Sequence, residues 1–381
     1  MKLIPRVRVN YSFADLFKAL WISERKNVYR KKTINRLSDI YSSSNILLTA
    51  SGRGALYLIL RSLPQKKVII PAYTCIAVVE ATLLAEKEIQ YVECIDGTYN
   101  ADSFPDLDNN TIVIATHQYG IPCNIEEIAK ACHKANAVLI EDCAGAMGTI
   151  VSGRQVGTFG DFGFFSFDSS KLINVPSKGG FIIAKDQEAL EKIRQATVLR
   201  PSDIKFKLKH LSRGFVYCVL KSSVVYKGFH YLTMGRKRNL QLEDHNKPDL
   251  SLTEFYQYGF SEWQAFIANK QIKIISDIIK KRKEIYEYYN THIQNPLVLK
   301  PVMNADSVCI RYAIRVPQRD DFYWSCVNLG VDAGFSFRNI AAPESFKQSH
   351  QMADKVLNLP FYFNIKNEEL QKVVRVINNI H

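Results

Sequence analysis

The chain lacks the marks of an exported or membrane-embedded protein. None of its eight cysteines forms a C-x-x-C pair, and Cys94, Cys143 and Cys218 sit in apolar runs. That usage speaks against a disulfide framework or a zinc site and leads us to expect reduced thiols in a cytoplasmic protein with no metal. No stretch approaches the roughly 20 apolar residues that cross a membrane, and residues 1–8, MKLIPRVR, have no apolar core of a signal peptide. Internal repeats and low-complexity tracts are absent as well. Acid is missing from one region in particular. Nine lysines and arginines lie between Lys205 and Arg238 with no Asp or Glu among them, so the net charge of +13 is concentrated locally. With no Cys/His finger or other recognised module, no nucleic-acid partner is expected.

What is present describes an ordinary globular chain. Its 381 residues are 47% hydrophobic and 23% charged, enough for a large α/β domain and a smaller one. From about residue 45 to 200, strand-like apolar runs alternate with helical patterns. The strand candidates are 68–70, 89–92, 112–115, 137–140, 162–167 and 181–184, and the helix candidates are 54–62, 77–85, 125–135 and 187–196. Such alternation predicts a mainly parallel sheet with helices on both faces. Residues 1–44 read as a helical arm, with Phe13, Leu16, Leu20 and Trp21 spaced to pack on the main domain. A large domain is expected over 45–240 and a small one over 241–381, the latter opened by a long helix from Trp263 to Asn290.

Two residues carry the chemistry. Asp142 follows the strand run Ala137–Glu141, and Lys171 follows the run Phe162–Phe167. A strand-end acid and a nearby lysine are what a pyridoxal phosphate enzyme needs. The amine can condense with the cofactor aldehyde, and the carboxylate can keep the pyridine nitrogen protonated so that the ring withdraws electrons. Neighbouring parallel strands bring such residues together because their carboxyl ends share one crevice. His117, at another strand end, reads as a satisfied structural histidine.

The residues around this pair resemble the DegT/StrS-type sugar aminotransferases, pyridoxal phosphate enzymes of the aspartate aminotransferase fold. Residues 140–148, IEDCAGAMG, are similar to the family's E-D-x-A-x-x-x-G segment, and residues 157–171, GTFGDFGFFSFDSSK, to its G-x-F-G-D and F-S-F-x-x-x-K. Ser51-Gly52-Arg53-Gly54-Ala55-Leu56, Pro71-Ala72-Tyr73-Thr74, His117-Gln118-Tyr119-Gly120 and Leu357-Asn358-Leu359-Pro360 follow the family's remaining motifs in order. The resemblance implies a three-layer α/β domain with a mainly parallel sheet and a smaller α+β C-terminal domain. It also implies a homodimer and transfer of an amino group, from glutamate, to a nucleotide-linked keto-sugar in surface-glycan or amino-sugar biosynthesis.

Site residues follow from the same resemblance. Lys171 and Asp142 would be catalytic, and Ala144 would lie against the cofactor ring. Amides of Gly52, Arg53 and Gly54 at a helix start would meet the phosphate, with the Ser166 hydroxyl beside them. Arg53 stands where the family has Thr, and its guanidinium either replaces that contact or points away. Gln257 falls where a partner subunit's Asn would reach the phosphate. Cys75 takes the place of a ring that stacks on the cofactor, a contact Tyr73 could restore in part. Gly145 replaces a Gln, and Lys178 an acid. These departures keep open a sugar dehydratase or other non-transaminating enzyme, and a non-catalytic regulatory protein. In dehydrating relatives His can stand in place of the lysine, so Lys171 favours transamination.

The segment 201–240 is treated as an insertion. Leu208, Leu211, Phe215, Cys218, Val225, Phe229 and Leu232 form an approximate apolar stripe, with Lys205, Lys209 and Arg213 on another face. Burial with a basic rim near the substrate is the expectation. Peripheral membrane contact through 205–238, or a surface for a nucleotide or lipid-linked diphosphate, are the alternatives.

Overall fold

Short strands of Val, Ile and Leu that are apolar on both faces need helices on both sides of the sheet. The computed structural model, which describes residues 2–196, 199–233, 248–304 and 306–381, supplies them. The chain opens with α1 (Phe13–Leu20) and α2 (Val28–Tyr41). It continues through β1 (Ile46–Thr49), α3 (Gly52–Ser62), β2 (Lys67–Pro71), α4 (Ile76–Leu84), β3 (Glu88–Val92) and β4 (Thr111–Thr116). Next come α5 (Ile125–Ala135), β5 (Val138–Asp142) and a small hairpin of β6 (Ile150–Val151) and β7 (Arg154–Gln155). After the hairpin follow β8 (Phe162–Ser166), β9 (Gly180–Ala184) and α6 (Gln187–Ala196).

Seven of these strands form one sheet in the order β1-β9-β8-β5-β4-β2-β3. The pairs β3–β2, β2–β4, β4–β5 and β5–β8 are parallel, while β9 runs antiparallel to both its neighbours. All six expected strands are present. The sheet also has β1, whose four residues are too few to stand out from the preceding Ser-rich turn. The carboxyl ends of β4, β5 and β8 lie side by side, since Thr116 is in register with Asp142 and Asp142 with Phe164.

Beyond the sheet lie α7 (Ile204–Val219), α8 (Ser223–Thr233), α9 (Glu254–Gln257), α10 (Glu262–Ile272) and α11 (Ile275–His292). The single long helix expected over 263–290 is therefore two. Trp263, Ile267 and Ile272 are buried in the core beneath the large sheet, whereas Ile285 and Tyr289 belong to a second core. The chain turns at Ile274, φ −113° and ψ 26°, to serve both. That second core is built by β10 (Tyr312–Arg315), α12 (Arg319–Asn328), β11 (Gly334–Phe335), β12 (Val356–Leu359) and α14 (Asn367–Asn378), while α13 (Lys347–Lys355) places Met352 and Ala353 in a separate cluster with Tyr73 and Tyr119. The three strands are antiparallel in the order β10-β12-β11.

The N-terminal residues serve both parts. Leu16 and Leu37 join the large core, while Ile4 bridges to Val331 and joins the small one. The expectation that Phe13 and Trp21 pack inward is not met: Trp21 is 89% exposed and Phe13 44%. Among the described residues, no helix is long and apolar enough to cross a membrane.

Candidate active site

A cavity of about 260 Å³ opens where the carboxyl ends of β4, β5 and β8 meet the start of β10. Asp142, the last residue of β5, lies buried on its wall and accepts a hydrogen bond from the Ala144 amide at 2.9 Å. Burial raises its carboxyl above the usual range, while that amide and Lys171 oppose the rise. No cation of the described residues lies within ion-pair distance of Asp142, so this acid is held ready for a cationic partner from outside the chain. Lys171 follows β8 and faces the same cavity. Burial, and next the nearby Arg311 guanidinium, lower its pKa and favour the neutral amine.

The other end of the cavity is shaped to hold an anion. Ser51 caps α3 by accepting from the Gly54 amide at 2.9 Å, leaving the Gly52 and Arg53 amides at the helix N-terminus. Glycine is required at 52, because a Cβ there would come within 2.9 Å of Ser166 Cβ. Ser166 thus stands against the same turn and lines the cavity. Arg53 lines it too, but its guanidinium is held by Glu80 at 2.7 Å, and Glu80 also accepts from the Asp249 amide. Of the two readings left open for Arg53, the structure favours the amide. Lys178 faces the cavity and sits 4.7 Å over the Phe255 ring; burial and the charge of Arg53 lower its pKa.

The remaining sequence candidates divide. Ala144 and Cys75 line the cavity, and burial raises the Cys75 thiol. Tyr73 does not replace the missing ring. It is fully buried, and its hydroxyl bonds that of Tyr119 at 2.7 Å. Tyr119 and Phe337, nearly parallel with centroids 6.0 Å apart, supply aromatic surface to the cavity instead. Gln257 does not reach the cavity of its own chain; its side-chain amide donates to the Leu252 carbonyl at 2.8 Å. Nor does any described residue of 201–233 line it, so the expected basic rim is not found among the described residues; Arg236, Lys237 and Arg238 of the 201–240 segment lie outside them. Helix α7 instead packs against α1, through Gly214 and Leu16, and against Glu254.

His117 is a brace. Its Nδ1 accepts from the Cys123 amide at 3.3 Å, so the proton sits on Nε2 and faces Glu141 at 3.1 Å. Glu141 also accepts from the amides of Gly157, Phe159 and Gly160 at 2.6–2.8 Å, fixing the loop that leads into β8. His117, Glu141 and Cys143 lie close enough together to suggest a metal site, but the ring nitrogens of His117 and the carboxylate of Glu141 are already engaged in hydrogen bonds within the chain.

Sequence reasoning missed Arg311. It precedes β10, lines the cavity beside Lys171 and donates to the Ser170 hydroxyl at 3.3 Å. Among the described residues no carboxylate lies within ion-pair distance of it. In the sequence it looks like one polar residue of an apolar strand run; only docking of the small sheet onto the large one turns it inward.

Pyridoxal phosphate fits these residues. The cradle that a Cβ at 52 would fill suits its phosphate, buried Asp142 lacks the cation its ring nitrogen supplies, and Lys171 is a half-buried amine biased to neutrality. Fold and site together define a pyridoxal phosphate enzyme of the aspartate aminotransferase fold. Residues 21–378 match the model of the DegT/DnrJ/EryC1/StrS aminotransferase family, and the chain belongs to that family. It is a pyridoxal phosphate-dependent aminotransferase. Among its relatives is the dTDP-3-amino-3,6-dideoxy-alpha-D-galactopyranose transaminase of Aneurinibacillus thermoaerophilus, 27% identical over 86% of this chain and 84% of that protein. Solved structures with the same fold include Helicobacter pylori PseC, an aminotransferase involved in the biosynthesis of pseudoaminic acid. It has a TM-score of 0.76 at 16% identity, covering 99% of this chain and 98% of that one. NtdA from Bacillus subtilis, solved with bound cofactor PMP, gives 0.71 at 19% identity, over 99% and 84%.

Proposed function

We propose that the protein transfers an amino group from glutamate to a nucleotide-linked keto-sugar, as a homodimer in the cytoplasm, in surface-glycan or amino-sugar biosynthesis. The observation that carries the reading is Lys171 and Asp142 facing one cavity, with the N-terminus of α3 at one end and the Arg311 guanidinium, which has no carboxylate within ion-pair distance among the described residues, lining it as well. Arg53 is already neutralised by Glu80. The helix end suits a phosphate, and Arg311 suits a donor carboxylate. The sugar class is supported by relatives such as the dTDP-sugar transaminase and the GDP-perosamine synthase of Escherichia coli O157:H7.

When bound, pyridoxal phosphate supplies the aldehyde that accepts the amino group and a ring that withdraws electrons. The protein does the rest. Asp142 would hold the ring nitrogen in its protonated form. The amides of Gly52 and Arg53, with the Ser166 hydroxyl, would anchor the phosphate, and small Ala144 would leave room for the ring. Lys171 Nζ, biased toward its neutral form by burial and Arg311, would take up the proton that leaves the amine-bearing carbon of the donor. Gln257 is assigned to the partner subunit's phosphate site.

The test is spectroscopic. Purified protein should be yellow, bleach on addition of glutamate, and recover its colour with a nucleotide-linked keto-sugar. A yellow protein that glutamate leaves unchanged would overturn the reading in favour of a non-transaminating enzyme.

A further inference from the structure

We propose that α1 and α7 together form a preformed contact face for an anionic phospholipid bilayer. On the α1 side, Phe13, Phe17 and the C-terminal cap Trp21 are 44%, 57% and 89% exposed. Phe13 and Phe17 lie against Phe215 of α7, with ring centroids 6.0 and 5.1 Å apart, so the apolar surfaces of the two helices join. At about 100° per residue, Ile204, Leu208, Phe215 and Val219 fall within an arc of roughly 60° on α7. Three of them, Ile204, Leu208 and Val219, are 63%, 51% and 46% exposed. Lys205, Lys209 and Arg213 are exposed on the adjoining arc, and no acid occurs anywhere in α7 or α8.

Exposed Phe and Trp beside a lysine stripe are what a helix lying in the bilayer interface presents. The face is already built. A Cβ on Gly214 would come within 2.9 Å of Leu16 Cδ2, so the Leu16 side chain of α1 seats directly on the α7 backbone. Lys207 Nζ donates to the carbonyls of Leu20 and Ile22 at 2.8 and 2.9 Å, holding the end of α1 on α7. Binding therefore requires little further ordering.

Charge selects lipid over a second copy of the chain. Lys209 shares Glu254, but Lys205 and Arg213 have no carboxylate within ion-pair distance among the described residues. A two-fold contact through this face would bring the basic stripe close to its own equivalent, whereas an anionic leaflet neutralises it. Because no described residue of α1 or α7 lines the 260 Å³ cavity, docking leaves the active site open.

Co-sedimentation with vesicles tests this, using phosphatidylglycerol mixed with phosphatidylcholine, and phosphatidylcholine alone, at about 0.05 M and about 0.5 M salt. The protein should bind the anionic vesicles at low salt and be released at high salt. Phe17→Ser with Trp21→Ser should weaken partitioning by roughly tenfold or more. Lys205→Ser and Arg213→Ser should each weaken it by roughly fivefold. Melting temperature, sedimentation coefficient and aminotransfer on soluble substrates should stay as in the parent protein. The proposal is overturned by no retention on anionic vesicles at low salt, or by equal retention on neutral ones. A changed protomer number in the Phe17→Ser/Trp21→Ser variant would also overturn it, assigning the face to a second copy.

Discussion

Among individual residues, the site works through charges that the fold leaves unbalanced. Asp142 is a buried acid without a cation, and Arg311 a cation without an acid, with Lys171 between them in electrostatic range of both. Asp142→Asn should keep the lysine adduct that borohydride fixes yet lower turnover by roughly a hundredfold or more, since a neutral partner no longer stabilises the protonated ring nitrogen. Mass spectrometry of the reduced protein and steady-state rates read the two effects separately, and near-normal turnover would show that another group pairs with the ring. Arg311→Gln bears on pH. The arginine lowers the Lys171 pKa, so removing it raises that pKa, and a higher pH is needed to make the amine neutral. The acid limb of cofactor capture by cofactor-free protein, followed by absorbance, should move to higher pH. A limb that stays in place would show that burial alone sets the amine.

Secondary-structure elements are positioned by backbone contacts that leave no space for a side chain. Gly54, in the first turn of α3, faces the start of α9; a Cβ there would lie 2.4 Å from the Phe255 carbonyl oxygen. Gly54→Ala must therefore push α9 away from α3 and disturb the helix end assigned to the phosphate. We expect a loss of about 1–3 kcal/mol in stability, together with weaker cofactor retention. Gly228 provides the control. It lies in α8 with nothing within 4 Å of its Cβ position, so Gly228→Ala should be neutral or stabilise by up to about 1 kcal/mol. Urea unfolding of both variants checks the pair; equal stabilities would mean that α9 yields freely. The apolar periodicity that revealed the strands and helices of the large sheet could not show this contact. Residues 54 and 255 are neighbours only after the chain has closed on itself.

For the whole molecule, the proposed homodimer explains why Gln257 lies outside the cavity of its own chain. Sedimentation should find two protomers at assay concentration, and dilution to monomers should release cofactor as the partner's contribution is lost. A fully active, cofactor-retaining monomer would contradict both the dimer and the role given to Gln257. The two cores of the protomer make the same point within one chain. Residues of α10 pack under the large sheet and the later turns of α11 in the small domain, so the helical segment 262–292 is divided by the demands of two separate cores.

The sequence by itself determined the fold class and the chemical pair. Strand periodicity, the strand-end positions of Asp142 and Lys171, and motifs in fixed order are all local patterns, each legible within about 20 residues. Tertiary structure decided what depends on residues distant along the chain. Arg311 reaches Ser170, Glu80 draws in Arg53, Tyr73 closes onto Tyr119, and α7 lies on α1 instead of over the cavity. Direction explains the difference. A pattern shows that a residue lies on an apolar or a charged stretch, but which way its side chain turns is set by the partner that packing brings to it.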